Sequence, residues 1–77
     1  KDIEVSDSIR LIEKFITTLP VQQQLIVQLR DIEQYEFKEI SEVLEMNETA
    51  IRVALSRARK TLKEKLIKAH RYGITSN

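Results

Sequence analysis

The sequence of 77 residues contains no cysteine and only one each of glycine, proline and histidine. Without cysteine, neither disulfides nor a zinc finger can hold the fold together. One histidine is too few for a histidine metal site or a catalytic histidine pair, and one glycine excludes a glycine-rich phosphate loop. The longest apolar runs are three residues, whereas a membrane span needs about 20. We therefore expect no membrane insertion and no secretory segment.

The chain is rich in charge, and the charge is unevenly placed. Its 13 Lys and Arg residues nearly balance 12 Asp and Glu residues, which gives a formal net charge of +1. Residues 1–51 carry five basic and eleven acidic side chains, a net charge of −6. Residues 52–77 carry eight basic side chains and one acidic side chain, a net charge of +7. Such asymmetry favours contact with a nucleic acid or a membrane surface.

The composition predicts one small domain. Hydrophobic residues make up 42% of the chain, which is enough for one modest core and too many for a disordered segment. We expect the domain to span residues 1–77, with an ordered core at about residues 6–70. Because the chain begins at Lys1 and not at Met, we also expect it to be a fragment of a longer protein.

Apolar residues recur with the 3.6-residue period of an α-helix, and no alternating run indicates a strand. We predict an all-α fold: a small four-helix domain with a C-terminal helix-turn-helix and a long last helix. The first helix should follow a cap at Ser6 and stop near Thr18, because the residue before Pro20 is disfavoured in the α region. Pro20 suits the first turn of the second helix.

The apolar stripes of these helices give the expected core. The run Gln22–Gln24 is interpreted as a solvated face, and the stretch Glu33–Glu36 interrupts the periodicity. The residues expected to face the core are Ile9, Ile12, Phe15, Ile16 and Leu19, then Leu25, Ile26, Leu29 and Ile32, then Phe37, Ile40, Val43 and Leu44, and finally Ile51, Leu55, Ala58, Leu62, Leu66 and Ala69.

A short third helix, a tight turn and an N-capped fourth helix form a helix-turn-helix pattern at about residues 36–58. Asn47 is the predicted cap, and Glu48 places a carboxylate in the first turn. Ser41 is small at the point where the two helices should pack closely. Such a turn commonly has glycine at a positive φ, and Glu45 stands there instead. We expect either a strain of about 1 kcal/mol, if φ is positive at this residue, or a slightly different turn.

The fourth helix, predicted from about Glu48 to about His70, shows a basic face opposite its apolar stripe. Arginine can pair bidentately with guanine, hydroxyls can bond bases or phosphates, and an aliphatic side chain can contact a thymine methyl group. Val53 is unusual because structural logic alone favours a polar residue at its position. The members of this face are Thr49, Arg52, Val53, Ser56, Lys60 and Lys63, with Arg57 at the flank.

Two other interpretations of this basic face stay open. It is consistent with simple solvation, and it is consistent with docking on an acidic protein or a membrane. The membrane interpretation is weaker because such helices present large apolar groups, and this helix has only Tyr72 near its end.

Three segments of the chain resemble region 4 of bacterial sigma factors, and most closely the extracytoplasmic-function group. They are Leu19-Pro20 followed by Leu29-Arg30, then the run 38–44, then the run 51–62 with its Ser-Arg-Ala-Arg sequence. The resemblance covers about residues 8–66. The alternatives are the helix-turn-helix output domain of a response regulator, which shares the middle segment, and a protein-interaction module with a basic helix.

The resemblance implies a cytoplasmic domain that binds the upstream (−35) promoter element through its last helix and thereby directs RNA polymerase to promoters. It also implies docking on the flap of the polymerase β subunit and masking by an anti-sigma factor. The matching positions are Arg52, Val53, Ser56 and Arg57 for the principal DNA-facing sites, Glu48 and Thr49 for the helix start near the phosphates and first bases, and Lys38 for a phosphate contact. We also expect Lys60 to contact a phosphate.

Some positions depart from the family pattern. The usual arginine of the second helix is Gln24, and the glycines expected near Gln34 and Glu45 are absent. Glu36 stands where a serine cap is common, so we expect a frayed start to the third helix. Fewer phosphate anchors predict weak DNA binding by the isolated domain.

The sequence gives little support for an enzyme. Glu36, Glu39 and Glu42 follow at intervals of three, a spacing typical of a solvated helix surface. Tyr35 and Phe37 should close the core between the second and third helices rather than stack on bases. We therefore predict no catalytic residue, no metal site and no cofactor.

Overall fold

The chain is described by a computed structural model, which covers the backbone of residues 2–71 and the side chains of residues 8–71. Within these residues the fold is all-α, as predicted. The helices are α1 (Asp2–Ile16), α2 (Val21–Val27), α3 (Phe37–Leu44) and α4 (Glu48–Arg71), and a π-helical turn (Gln28–Ile32) continues α2. At 1.5 Å per residue, the 24 residues of α4 extend about 36 Å, and every other helix packs against it or its neighbours.

The first helix differs from its predicted bounds at both ends. Its backbone is helical from Asp2, so Ser6 lies inside the helix and the predicted cap is wrong. The polar and acidic residues before Ser6 are compatible with a helix start, and the sequence pattern alone did not distinguish the two positions. The helix ends at Ile16, where the hydroxyls of Thr17 and Thr18 each donate to a carbonyl three residues earlier, at 2.6 Å.

The α1–α2 connection is tied by a glutamine that we expected on a solvated face. Pro20 is the N-cap of α2 (φ −54°, ψ 147°), one residue earlier than predicted. Gln24 is half-buried, and its side-chain Nε2 donates to the carbonyl of Leu19 at 2.7 Å and to that of Thr17 at 3.3 Å. It therefore satisfies carbonyl groups that the end of α1 leaves free.

The core lies where α2, α3 and α4 meet. Most of its members were predicted, but Val27 and Ala54 were missed. Its buried residues are Leu19, Ile26, Val27, Ile40, Ile51, Ala54, Leu55 and Ala58. Ile26, Ile40 and Ile51 are fully enclosed. Because these three side chains come from α2, α3 and α4, their packing joins the three helices in one core.

Four predicted core residues are exposed instead. Ile9 is 52% exposed, Leu25 45%, Ile32 52% and Val43 60%. The π-helical turn explains Ile32, because a helix with i→i+5 bonds no longer follows a 3.6-residue stripe. In this turn the amide of Glu33 donates to the carbonyl of Gln28 at 2.9 Å. Leu25, Ile9 and Val43 belong to helices that bury one face only, and Val27 and Leu44 take the inner positions.

Between residues 2 and 71, two non-glycine residues have left-handed backbones. Gln34 has a φ of 62°, and Glu45 has a φ of 55°. Both are positions at which the resembling family has glycine nearby, and of the two outcomes left open for Glu45, a positive φ or a different turn, the structure has the positive φ. A left-handed residue with a Cβ is strained by about 1 kcal/mol, so the two connections around α3 are held by their surroundings.

We expect Glu45→Gly to stabilise the domain by about 0.5–1 kcal/mol, because glycine removes the Cβ clash that outweighs its greater entropy in the unfolded chain. Urea unfolding of the variant and of the parent measures this difference. Glu42→Gly, in the middle of α3, is the matched control and should destabilise by about 1 kcal/mol. A loss of stability in Glu45→Gly would contradict the strained geometry.

Candidate nucleic-acid interface

The turn between α3 and α4 is closed by hydrogen bonds across it. The hydroxyl of Ser41 donates to the carbonyl of Met46, and the amide of Met46 donates to the carbonyl of Ser41 at 3.1 Å. Glu45 reverses the chain between them with its left-handed backbone. Met46 is half-buried and packs against the core, as predicted. Ser41 therefore allows close packing and also fastens the turn.

Both helices of this pair have defined starts. The side-chain Oδ1 of Asn47 accepts a hydrogen bond from the amide of Ala50 at 2.7 Å, which confirms the predicted cap of α4. At α3, the amide of Glu36 donates to Oε1 of Glu39 at 2.8 Å, as one half of a capping box. The expectation of a frayed α3 is therefore wrong, because Glu36, which stands where a serine cap is common, forms a capping box with Glu39.

The predicted DNA-facing residues of α4 lie on one exposed face. From Thr49 to Lys60 this face extends about 16 Å along the axis, slightly more than the width of a DNA major groove. Val53 is 44% exposed, an apolar group among cations. The exposed members are Thr49, Arg52, Val53, Ser56, Arg57 and Lys60. Glu48 is half-buried at the helix start, and Lys38 is exposed on the first turn of α3.

Arg52 is exposed but held in place. Its guanidinium Nη2 lies 3.6 Å from Oε1 of Glu48, one turn earlier in α4. Its Cζ lies 4.5 Å from the centre of the Phe37 ring. Phe37 and Tyr35 pack against the core, as predicted, but the position of the Phe37 ring beneath a candidate DNA-reading arginine was missed. No local spacing relates these residues, because they belong to different helices.

A second arginine reaches the same ring from the π-helical turn. The Cζ of Arg30 lies 4.3 Å from the centre of the Phe37 ring. One Nη of Arg30 also donates to the carbonyl of Tyr35 at 2.8 Å. This arginine therefore braces the left-handed connection at Gln34 and the start of α3.

Arg59 has a structural partner that the sequence did not reveal. It forms two hydrogen bonds with the carboxylate of Asp31, one of them from Nε to Oδ2 at 3.0 Å. The hydrogen bonds that Arg59 donates to the Asp31 carboxylate raise the pKa of Arg59 above its usual range. Although Arg59 belongs to the Ser-Arg-Ala-Arg segment, its charge is matched by Asp31, 28 residues away in the chain. It therefore joins α4 to the π-helical turn.

An open apolar groove lies between α1 and α2 with its π-helical turn. Two carboxylates, those of Glu13 and Asp31, stand at its walls. Three residues that were predicted to lie in the core but are exposed line this groove, namely Ile9, Leu25 and Ile32. Their apolar side chains are therefore gathered in one place. Its further lining comprises Ile12, Ile16, Thr17, Gln24, Val27, Gln28 and Leu62.

The described residues contain neither a cluster of metal ligands nor a membrane-spanning helix. No group of three or more His, Asp or Glu side chains there is placed to hold a metal ion. None of the helices from Asp2 to Arg71 is long and apolar enough to cross a membrane.

Comparison with known protein families identifies a match over the part of the chain that contains the helix-turn-helix. Residues 9–62 match the family described as sigma-70, region 4. The match covers α2, α3, about half of α1 and the part of α4 that carries the exposed basic face. Searches of curated proteins and of solved structures give no significant match. The family consists of DNA-binding domains, not enzymes, that act with RNA polymerase on promoter DNA in transcription initiation. The chain therefore belongs to the sigma-70 region 4 family of promoter-binding domains.

Proposed function

We propose that this domain recognises the upstream (−35) promoter element as region 4 of a sigma factor of the extracytoplasmic-function type. The observation that carries the proposal is the exposed face of α4, which presents two arginines, a lysine, two hydroxyls and one aliphatic side chain directly after a capped helix-turn-helix. A recognition helix of this kind enters the major groove with its N-terminal residues against the base edges. The helix-turn-helix unit that we propose comprises about residues 36–58.

The residues take different parts in this proposal. Arg52 pairs with a guanine, and Val53 contacts a thymine methyl group, since both are exposed near the start of α4. Ser56 and Arg57 follow one turn later, where they reach base edges or phosphates.

The remaining proposed contacts are at the margins of the interface. Glu48 and Thr49 lie at the N-terminus of α4, where Glu48 can accept a hydrogen bond from cytosine N4. Lys38 on α3 and Lys60 further along α4 contact phosphates on either side of the groove. Arg59 is left out, because Asp31 already holds it.

Selection from a random duplex library, followed by mobility shift at several salt concentrations, tests the function. We expect a preferred sequence and an affinity that falls steeply with salt, because phosphate neutralisation releases counterions. A module that binds an acidic protein through its basic helix would show no preferred duplex. A preferred palindromic pair of sites would instead favour the response-regulator alternative, whose domains commonly bind DNA as dimers.

We expect Lys60→Ala to weaken binding to every duplex about equally and to reduce the slope of log affinity against log salt by about one unit. The physical reason is the loss of one phosphate contact. A salt titration of the variant and the parent measures the slope. Lys14→Ala removes the same charge from α1 and should leave the slope unchanged. An unaltered slope in Lys60→Ala would show that this lysine is only solvated.

We also propose that the groove between α1 and α2 receives the flap of the polymerase β subunit. Its exposed apolar lining offers area to bury, and it lies on elements other than the DNA-facing surface of α4. DNA and polymerase can then be bound at once, as transcription initiation requires. An anti-sigma factor that covers this groove or the basic face would block one of the two contacts.

We expect Leu25→Ala to weaken binding to RNA polymerase about fivefold, because a half-exposed leucine in the groove contributes about 1 kcal/mol when it is buried by a partner. Fluorescence anisotropy of the labelled domain against core polymerase, without DNA, measures this affinity. Val43→Ala is the matched control, since Val43 is an exposed apolar residue on α3. Equal losses of polymerase affinity in the two variants would show that the polymerase does not bind at this groove.

A further inference from the structure

The side chain of Arg52 combines two properties that rarely occur together. It is 57% exposed, so it is available to a ligand. It also has a restraint on two sides, with the Glu48 carboxylate at 3.6 Å and the Phe37 ring at 4.5 Å. Exposed arginines ordinarily sample many rotamers, and ordering them on binding costs conformational entropy. An arginine that is already ordered loses less conformational entropy when it binds DNA.

The ring that lies beneath Arg52 is itself fixed. Phe37 is half-buried against the core, and the guanidinium of Arg30 lies over the same ring at 4.3 Å. Arg30 is anchored in turn by its hydrogen bond to the carbonyl of Tyr35. Side-chain contacts therefore link the π-helical turn, α3 and α4, and they run from Arg30 to Phe37, from Phe37 to Arg52 and from Arg52 to Glu48.

We infer that Phe37 is a positioning residue that sets the base selectivity of Arg52, an inference that rests on the proposed reading of promoter DNA by α4. A guanidinium that stacks on an aromatic face has a fixed plane. A fixed plane matters for bidentate pairing with guanine, because both N–H groups must meet O6 and N7 together. Phosphate contacts make no such demand. Loss of the ring should therefore lower selectivity more than overall affinity.

Two substitutions at Phe37 separate the ring from the apolar volume. Phe37→Leu keeps a large apolar side chain but removes the aromatic face, whereas Phe37→Tyr keeps that face. The affinity of each variant is measured for the preferred duplex and for the same duplex with the guanine replaced. We expect Phe37→Leu to reduce the ratio of these affinities about three- to fivefold, and Phe37→Tyr to retain it. Thermal unfolding shows that each variant is folded under the conditions of the measurement.

The same substitutions in an Arg52→Ala background complete a double-mutant cycle. If Phe37 acts through Arg52, Phe37→Leu has no further effect on selectivity there. A reduction of equal size with and without Arg52, or an equal loss of affinity for both duplexes, would show that Phe37 only supports the fold and would overturn the inference.

A readout without DNA tests the stack directly. In the parent protein, the Arg52 side-chain Hε resonance should carry a ring-current shift that disappears in Phe37→Leu and persists in Phe37→Tyr. An unchanged resonance would overturn the inference whatever the DNA result. A parent protein that shows this shift but no preference among duplexes would instead refute the proposed function, because a positioned arginine would then have no base to read.

Discussion

Replacement of Arg52 by alanine should remove most of the discrimination between the preferred duplex and its guanine-substituted form. The expected loss is about 1–3 kcal/mol, the range for a bidentate arginine–guanine pair, which corresponds to about 5- to 150-fold in affinity ratio. The prediction follows from the placement of Arg52 on the exposed face of α4, five residues after the Asn47 cap and one turn before Ser56.

Competition mobility shift with both duplexes at one fixed salt concentration measures this loss. Arg10→Ala is the control, since Arg10 is an exposed arginine on α1 and its removal should leave the ratio of the two affinities intact. An equal loss on all duplexes would identify Arg52 as a phosphate contact. Because Glu48 pairs with Arg52 in the free domain, Glu48→Gln serves as a second comparison, and it should retain the guanine preference if the ring is the main restraint.

The parts of the structure that the sequence predicts well are those with a local chemical cause. The cap at Asn47 was predictable because a short polar side chain there can reach an amide three residues on, and the structure shows this bond to Ala50. The turn at Glu45 was predictable from the pattern of helices around it, whereas its left-handed backbone was one of two outcomes that the sequence left open. The exposed face of α4 follows from helical periodicity, which needs no knowledge of the other helices.

The parts that the sequence did not predict depend on residues far apart in the chain. The pair of Asp31 and Arg59 spans 28 residues, and neither residue has a local pattern that identifies the other. The groove was missed for a related reason. A 3.6-residue stripe assigns Leu25 and Ile32 to the core, but Leu25 lies on the exposed face of α2, and the π-helical turn after Val27 changes the direction in which the chain presents Ile32.

The structure shows which basic residues of α4 are available to DNA and which have partners within the domain. The basic segment after residue 51 is not wholly available to DNA, because Arg59 is paired with Asp31 and the Nζ of Lys65 donates to the hydroxyl of Thr18 at 2.8 Å. These two cations fasten α4 to the elements behind it. Among the cations that remain on the outer face of α4, Arg52, Arg57 and Lys60 are the ones that we propose to meet DNA.

The second large effect separates a residue that packs in the core from a residue that we propose to contact DNA, both within one turn of α4. Ile51 is fully buried, whereas Val53, two residues on, is 44% exposed. Ile51→Ala should destabilise the domain by about 2–5 kcal/mol, through lost burial and the cavity that remains. This is a large part of the free energy of unfolding of so small a domain. Val53→Ala should change stability by less than about 0.5 kcal/mol.

The effects of the two substitutions on DNA affinity should have the opposite order. On the preferred duplex, Val53→Ala should lose about 1 kcal/mol, since two methyl groups no longer cover a thymine methyl group. Folded Ile51→Ala, measured at low temperature, should bind with nearly the parent affinity, because its side chain does not reach the surface. Urea unfolding and mobility shift on the same preparations give both quantities. If Val53→Ala unfolded as readily as Ile51→Ala, the orientation of α4 would be wrong. If it bound the duplex as the parent does, Val53 would have no base contact, and the exposed aliphatic group would need another partner.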